Sequence, residues 1–140
     1  MKVRAMFAGA SSFRNVALLV IGVLSCTGCG GVKNVTVTGQ VLRNKQPIAL
    51  SPTGAIQVTL IPDVPAGTPY TTFPARPDPS TGKFEVSDVP PGNYKIAVEL
   101  FDPNPTVGDK LRGAFSADKT PFKRQVDGKA PVDIDLAKPE

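Results

Sequence analysis

Four stretches of this chain alternate apolar and polar residues with a period of two. Val35, Val37, Gly39 and Val41 alternate with Thr36, Thr38 and Gln40, and Ile56, Val58 and Leu60 form a second set that ends at Pro62. Tyr94, Ile96, Val98 and Leu100 alternate with Lys95, Ala97 and Glu99, and Val132, Ile134 and Leu136 alternate with Asp133 and Asp135. Successive side chains of a strand point to opposite faces, so each set predicts a strand with one buried face. After residue 31 no stretch of about ten residues or more carries a helical stripe. Asn44-Lys45, Pro52-Thr53-Gly54, Ser80-Thr81-Gly82 and Pro90-Pro91-Gly92 punctuate the runs, within a total of 13 Gly and 15 Pro in 140 residues. About seven short runs in roughly 105 residues is the density of a single all-β sandwich. Proline cannot donate to a ladder, so Pro62, Pro65, Pro69, Pro74, Pro77 and Pro79 confine residues 62–80 to loop or edge strand, with one short strand near Tyr70 to Phe73.

The first 31 residues are of another kind. Lys2, Arg4 and Arg14 precede the apolar run Val16 to Leu24, and small residues and cysteine follow, which are the regions of a secretory signal. Nine apolar residues give about 14 Å of helix, short of the ~30 Å hydrocarbon layer. The uncharged stretch from Asn15 to Val32 leaves an uncleaved anchor as the alternative. Val23, Leu24, Ser25 and Cys26 resemble a bacterial lipoprotein box, with an aliphatic residue three places before the cysteine and a small one just before it. Cys29 is the alternative, preceded by the small Gly28 but with Cys26 in the aliphatic place. The resemblance implies a signal over 1–25, acylation of Cys26 and a short flexible tether over 26–33. It also implies attachment to a lipid bilayer through acyl chains, on the periplasmic or outer-membrane face; Thr27, in place of an inner-membrane-retention Asp, leans towards the outer membrane. Two or three chains hold a protein stably where one holds it marginally, at about 0.8 kcal/mol per buried methylene.

Composition narrows the functions. The chain has no His and no Trp. Without histidine the usual neutral-pH general base, the Ser-His and Cys-His pairs and the commonest zinc ligand are gone. Cys26 and Cys29 form a C-x-x-C, yet no βαβ pattern surrounds it for redox work and no further ligand pair accompanies it for zinc. No cysteine follows residue 29, so the domain is expected to hold without a disulfide. Removing the signal takes away Lys2, Arg4 and Arg14 and lowers the formal charge from +4 to +1. The basic balance thus belongs to the signal and gives no ground for nucleic-acid binding. The densest basic stretch left, Lys110, Arg112, Lys119, Lys123 and Arg124, is interleaved with Asp109 and Asp118 and reads as a solvated loop.

Residues 81–100, TGKFEVSDVPPGNYKIAVEL, resemble the signature hairpin of carboxypeptidase regulatory-like domains. That pattern is a Gly-x-Phe strand, a connection ending in Pro-Gly and a Tyr-bearing strand. Gly82, Phe84, Val86, Val89, Pro91, Gly92, Tyr94, Ile96 and Val98 stand in those places. Thr38, Gly39, Gln40 and Val41 with Pro47 and Ile48 are similar to the family's first strand and turn. The resemblance covers most of a domain over 34–140 and implies a transthyretin-like (prealbumin-like) Greek-key sandwich. In such a hairpin Gly92 is expected at positive φ, and Tyr94 is expected to bury its ring and bond through its hydroxyl at the sheet end. Because these modules are attached to proteins of many kinds, the fold implies no single function. The hydroxyisourate hydrolases of the same fold use histidines and a C-terminal Tyr-Arg-Gly-Ser, whereas this chain ends Leu136, Ala137, Lys138, Pro139, Glu140. Metallocarboxypeptidase chemistry likewise needs zinc-binding histidines. The expected role is non-catalytic and needs no cofactor.

Three features remain as candidate sites. Asp133 and Asp135 share one face of the last strand, about 7 Å apart. With Asp127 nearby they read as outward charges that discourage edge pairing or, less simply, as part of a calcium site lacking most of its oxygens. Tyr70, Phe73, Phe101, Phe115 and Phe122 are the aromatics available for a polysaccharide platform. The patternless stretch from Asp102 to Thr120 is long enough to be functional. There Leu111, Arg112, Phe115 and Lys119 either anchor an envelope partner or, for the apolar pair, tuck the loop over one end of the sandwich.

Overall fold

The computed structural model describes residues 32–105 and 108–137, and among them there is no helix. Eight strands follow in order: β1 (Val35–Arg43), β2 (Gln46–Pro47), β3 (Ala55–Pro62), β4 (Phe73–Ala75), β5 (Lys83–Val89), β6 (Gly92–Phe101), β7 (Lys123–Val126) and β8 (Val132–Asp135). They form two four-stranded sheets. In one, β1 is central: β8 runs parallel to it along one edge, while β5 and the short β2 lie end to end, antiparallel, along the other. The second sheet has the order β4-β3-β6-β7, antiparallel throughout.

The alternating residues place the core between the sheets. Val37, Val41, Phe84, Val86, Val89, Val132 and Ile134 from the first sheet meet Ile56, Val58, Leu60, Tyr94, Ile96, Val98 and Leu100 from the second, with Phe122 fully enclosed. Their polar neighbours face out, which is the pattern of an all-β sandwich with one wet face on each sheet. Two glycines are needed by close approach. A Cβ on Gly39 would overlap the Val132 carbonyl and the Phe84 ring, and Gly82 combines a φ of +68 with the Val41 carbonyl immediately beside it. The first turn, Asn44-Lys45, takes φ of 53 and 63 at its two residues, the primed geometry that suits a twisted hairpin.

Three expectations need correction. Residues 81–100 are not a hairpin: β5 pairs with β1, β6 pairs with β3 and β7, and the two strands face each other across the core. Pro90 and Pro91 have no amide to donate, so the chain leaves one sheet there and enters the other. Gly92 is not the positive-φ residue of this corner; Asp88, at φ 60, is, and a Cβ on Gly92 would meet Tyr94 at an ordinary 3.7 Å. Lys123 and Arg124 are not loop residues but belong to β7, held at its ends by buried Phe122 and Val126. The short strand in the proline-rich stretch is Phe73–Ala75, an edge strand whose Pro74 fits the requirement for a missing donor.

Tyr94 closes the corner. Its ring is buried edge-on to Phe73, 6.1 Å between centroids, and its hydroxyl donates to the Pro90 carbonyl at 2.7 Å. Burial also raises the phenol above its ordinary pKa. Truncating an enclosed aromatic ring removes transfer energy and leaves a cavity, so Tyr94→Ala should cost about 3 kcal/mol or more. Tyr94→Phe, which loses only the hydrogen bond, should cost about 1 kcal/mol. Denaturant unfolding at neutral pH measures both, and an unchanged midpoint for Tyr94→Ala would remove the ring from the core.

Candidate functional site

Cys26 and Cys29 lie outside the described residues. The stretch from Asp102 to Phe122 is an edge cover for β6. β7 pairs only with Gly92 to Lys95, and beyond it the amides of β6 find other acceptors. Ile96 N–H donates to the Phe122 carbonyl at 2.9 Å, Val98 N–H to the Phe115 carbonyl at 3.0 Å and Leu100 N–H to Asp109 Oδ1 at 2.7 Å. The same carboxylate accepts from the amides of Leu111 and Gly113, and Lys110 N–H returns to the Leu100 carbonyl. Thr120 Oγ1 donates to the Ile96 carbonyl. Leu111 is half-buried against the core, and Phe115 stacks on Phe122 at 5.3 Å between centroids. Arg112 and Lys119 are exposed.

Asp135 has a structural task. Its carboxylate accepts from the amides of Asn44, Lys45 and Ala137 at 2.8–3.0 Å, which holds the first turn and draws its pKa below the usual value, the Ala137 amide contributing most. Asp133 points to solvent. Among the described residues no group of three or more His, Cys, Asp or Glu side chains converges as a metal site.

A cleft of about 990 Å³ lies on the flank where β3 and β5 come together. It exists because β4 is short. β4 covers Val58 to Leu60 and ends at Ala75, after which Arg76 to Pro79 cross to the other sheet. Since Ile96, Val98 and Leu100 turn their amides away from β3, alternation gives Ala55, Gln57 and Thr59 to the β6 ladder and puts the backbone groups of Ile56 on the opposite edge, past the end of β4. On the facing sheet Val41 N–H donates to the Gly82 carbonyl, so Gly82, Phe84 and Val86 point at β1, while Lys83 and Glu85 point outward. The Lys83 carbonyl accepts from Asp78 N–H at 2.8 Å; the outward pair of Glu85 lies beyond this contact. Ile56, Phe84 and half-buried Phe101 supply apolar lining, Gln57 and Asn104 polar lining, and Arg76, Asp78, Lys83 and Glu85 bring charges of both signs.

Asp78 shapes the rim. Its Oδ1 accepts from the hydroxyls and amides of both Ser80 and Thr81, and its carbonyl accepts from Gly82 N–H at 2.7 Å. These donors, the Ser80 hydroxyl foremost, pull its pKa from 3.8 down to about 2. Of the aromatics expected to form a platform, only Phe101 lines this cleft; Phe115 and Phe122 are committed to the core side, and Tyr70 and Phe73 sit at the other end of the molecule. The open edges could not be found by period or composition, because what creates them is the early end of a neighbouring strand.

The chain matches no protein-family model, no curated protein and no solved structure.

A carboxylate whose folded pKa lies below its unfolded one stabilises the fold above the unfolded value and loses that contribution as pH falls through the folded one. Asp78→Asn keeps the shape of the turn and removes the charge. The wild type should melt above the variant at neutral pH, and the gap should close as pH drops through 3.8 towards 2. Thermal unfolding across this range checks it, and a gap of constant size would take the charge out of the turn's stability.

Proposed function

We propose that the chain is an acylated envelope lipoprotein, held to a bilayer through Cys26 or Cys29. Its domain serves as a non-catalytic protein-interaction module on a transthyretin-like sandwich. The observation that carries the interaction reading is the cleft between β3 and β5. Glu85, exposed on β5, turns its backbone groups away from β1 towards it, and an extended polypeptide is the ligand that can pair with them by strand addition. Alternate side chains of such a strand would rest on Phe84 and Phe101, while Arg76, Asp78, Lys83 and Glu85 select among charged partners. Support for the family reading comes from Gly82 and Tyr94: the first is required by close approach, the second closes the corner between sheets. The lipoprotein reading rests on Val23 to Cys26 following a short apolar run. Polysaccharide is the alternative occupant, favoured by Phe101 beside Gln57 and Asn104 in the same cleft.

Intact mass of protein extracted from membranes should give a chain that begins at the modified cysteine and carries acyl groups; a soluble cytosolic form retaining Met1 would overturn the anchor. A photo-reactive residue at position 85 of the anchored protein should form an adduct with an extended peptide segment, whereas the same residue at position 133, on the opposite flank, should not. Equal labelling from both positions would remove the cleft from the interaction, and a glycan adduct abolished by Phe101→Ala would establish the alternative.

A further inference from the structure

The three large apolar side chains that stand exposed among the described residues, Val32 at 72%, Val64 at 38% and Tyr70 at 56%, all lie at one end of the sandwich. It is the end at which β1 begins. Val35 there pairs with Val89, Asp63 N–H donates to the Asn93 carbonyl at 2.9 Å, and the loop after β3 lies against the corner between β5 and β6. Val64, Tyr70 and Phe73 face Pro90 and Pro91 across a hollow of about 590 Å³. The loop that carries Val64 and Tyr70 is stiffened by Pro65 and Pro69 and by a turn from Thr68 N–H to the Pro65 carbonyl, so presenting its side chains costs little further order.

Charge is sorted the same way. Lys33, Lys95, Lys123, Arg124 and Lys129 belong to this end, by register or by the contact of Gly128 with Val35. Asp63, Asp88 and Asp127 are its acidic residues, and Asp63 bridges Lys95 at 3.4 Å and Lys123 at 3.1 Å. Five basic against three acidic groups leaves this end at +2, while the other described residues, seven basic and eight acidic, sum to −1.

Resting on the anchored reading above, we infer that this end of the domain lies on the bilayer surface, with Tyr70 and Val64 at the headgroup level and the lysines over anionic lipid. The tether decides between the two ends. Six residues separate Cys26 from Val32, a reach of about 20 Å at most, whereas the ten residues of β6 span about 33 Å from one end of the sandwich to the other. The distal end cannot come down to the surface on such a leash without laying the domain on its side. Tyrosine suits the interface because its ring is apolar and its hydroxyl is wet. Each basic residue near an anionic surface adds a modest attraction. These terms are small, and they orient a domain that the acyl chains already hold.

The chain has no Trp, so Tyr70→Trp introduces a single indole, and Thr53→Trp does the same at the distal end. The full-length acylated protein is reconstituted into phosphatidylglycerol-containing vesicles with headgroup-proximal brominated lipid. The indole of Tyr70→Trp should be quenched and blue-shifted while that of Thr53→Trp is neither, and Lys129→Glu should weaken the quenching. Val64→Trp repeats the measurement should Tyr70→Trp disturb the fold. Protein that floats with the vesicles but keeps both indoles bright, or loses both equally, overturns the inference and leaves the anchor intact. Protein that does not float ends the anchored reading and this orientation with it.

Discussion

A strand buried inside a sheet must find a partner for every amide on both edges, and β6 is the strand on which this demand falls hardest. One edge is served by β3 from Tyr94 to Phe101 and by the Asp63 amide at Asn93. The other is served in three ways: by β7 as far as Lys95, by main-chain carbonyls of Phe115 and Phe122 further on, and by the Asp109 carboxylate at the end. The long segment between β6 and β7 is explained by that need. It cannot be a second ladder strand, because its carbonyls come from residues 115 and 122 rather than from alternate positions, yet it satisfies the same amides. Its apolar residues, Leu111 and Phe115, then fall against the core as a consequence.

The two flanks of the sandwich end up unequal. On one, β8 lines β1, and β7 with the covering segment lines β6, so both inner strands are paired there. On the other, β4 has three residues and β5 has no strand beyond it, so the sheets part and the backbone of Glu85 is left outward. Natural sandwiches guard such edges with charge, proline or brevity. Here all three appear, as Lys83 and Glu85, Pro74 and Pro77, and the shortness of β4. Lys83, Glu85 and Pro77 line the rim and leave the hollow between them open, which separates this edge from one that is simply blocked.

How much of this could be read from the residues depended on what period two reports. It reports a face, and so β1, β3, β6 and β8 were legible to within two residues, as was the all-β core. It does not report which edge a strand pairs along. The corner at Pro90-Pro91 therefore resembled a hairpin although its strands lie in opposite sheets, and the parallel pairing of β8 with β1 left no trace. β7 was missed because its middle, Lys123 to Gln125, is polar and only its flanking Phe122 and Val126 are apolar. Asp109 and Asp135 also accept from near neighbours, but the bonds by which they tie the fold go to amides brought from elsewhere in the chain, which no local pattern reports. The cleft was invisible for a related reason, since it is defined by where β4 stops.

Orientation ties these features together. With the β1 end on a bilayer, the strands run roughly along the membrane normal, and the cleft opens sideways instead of downward. Gln40, opposite Lys83 on the flank, is five residues along β1 from Val35, or about 17 Å further from the surface. A short tether would then do more than retain the protein: it would hold an open sheet edge at a fixed height, turned towards whatever polypeptide passes beside it. A longer leash would allow the domain to tumble and lose that advantage, because a strand added to an edge must arrive extended and in register. On that orientation the inequality of the two flanks and the inequality of the two ends would be parts of one arrangement, in which the paired inner strands hold the fold and the basic, apolar end turns the open edge.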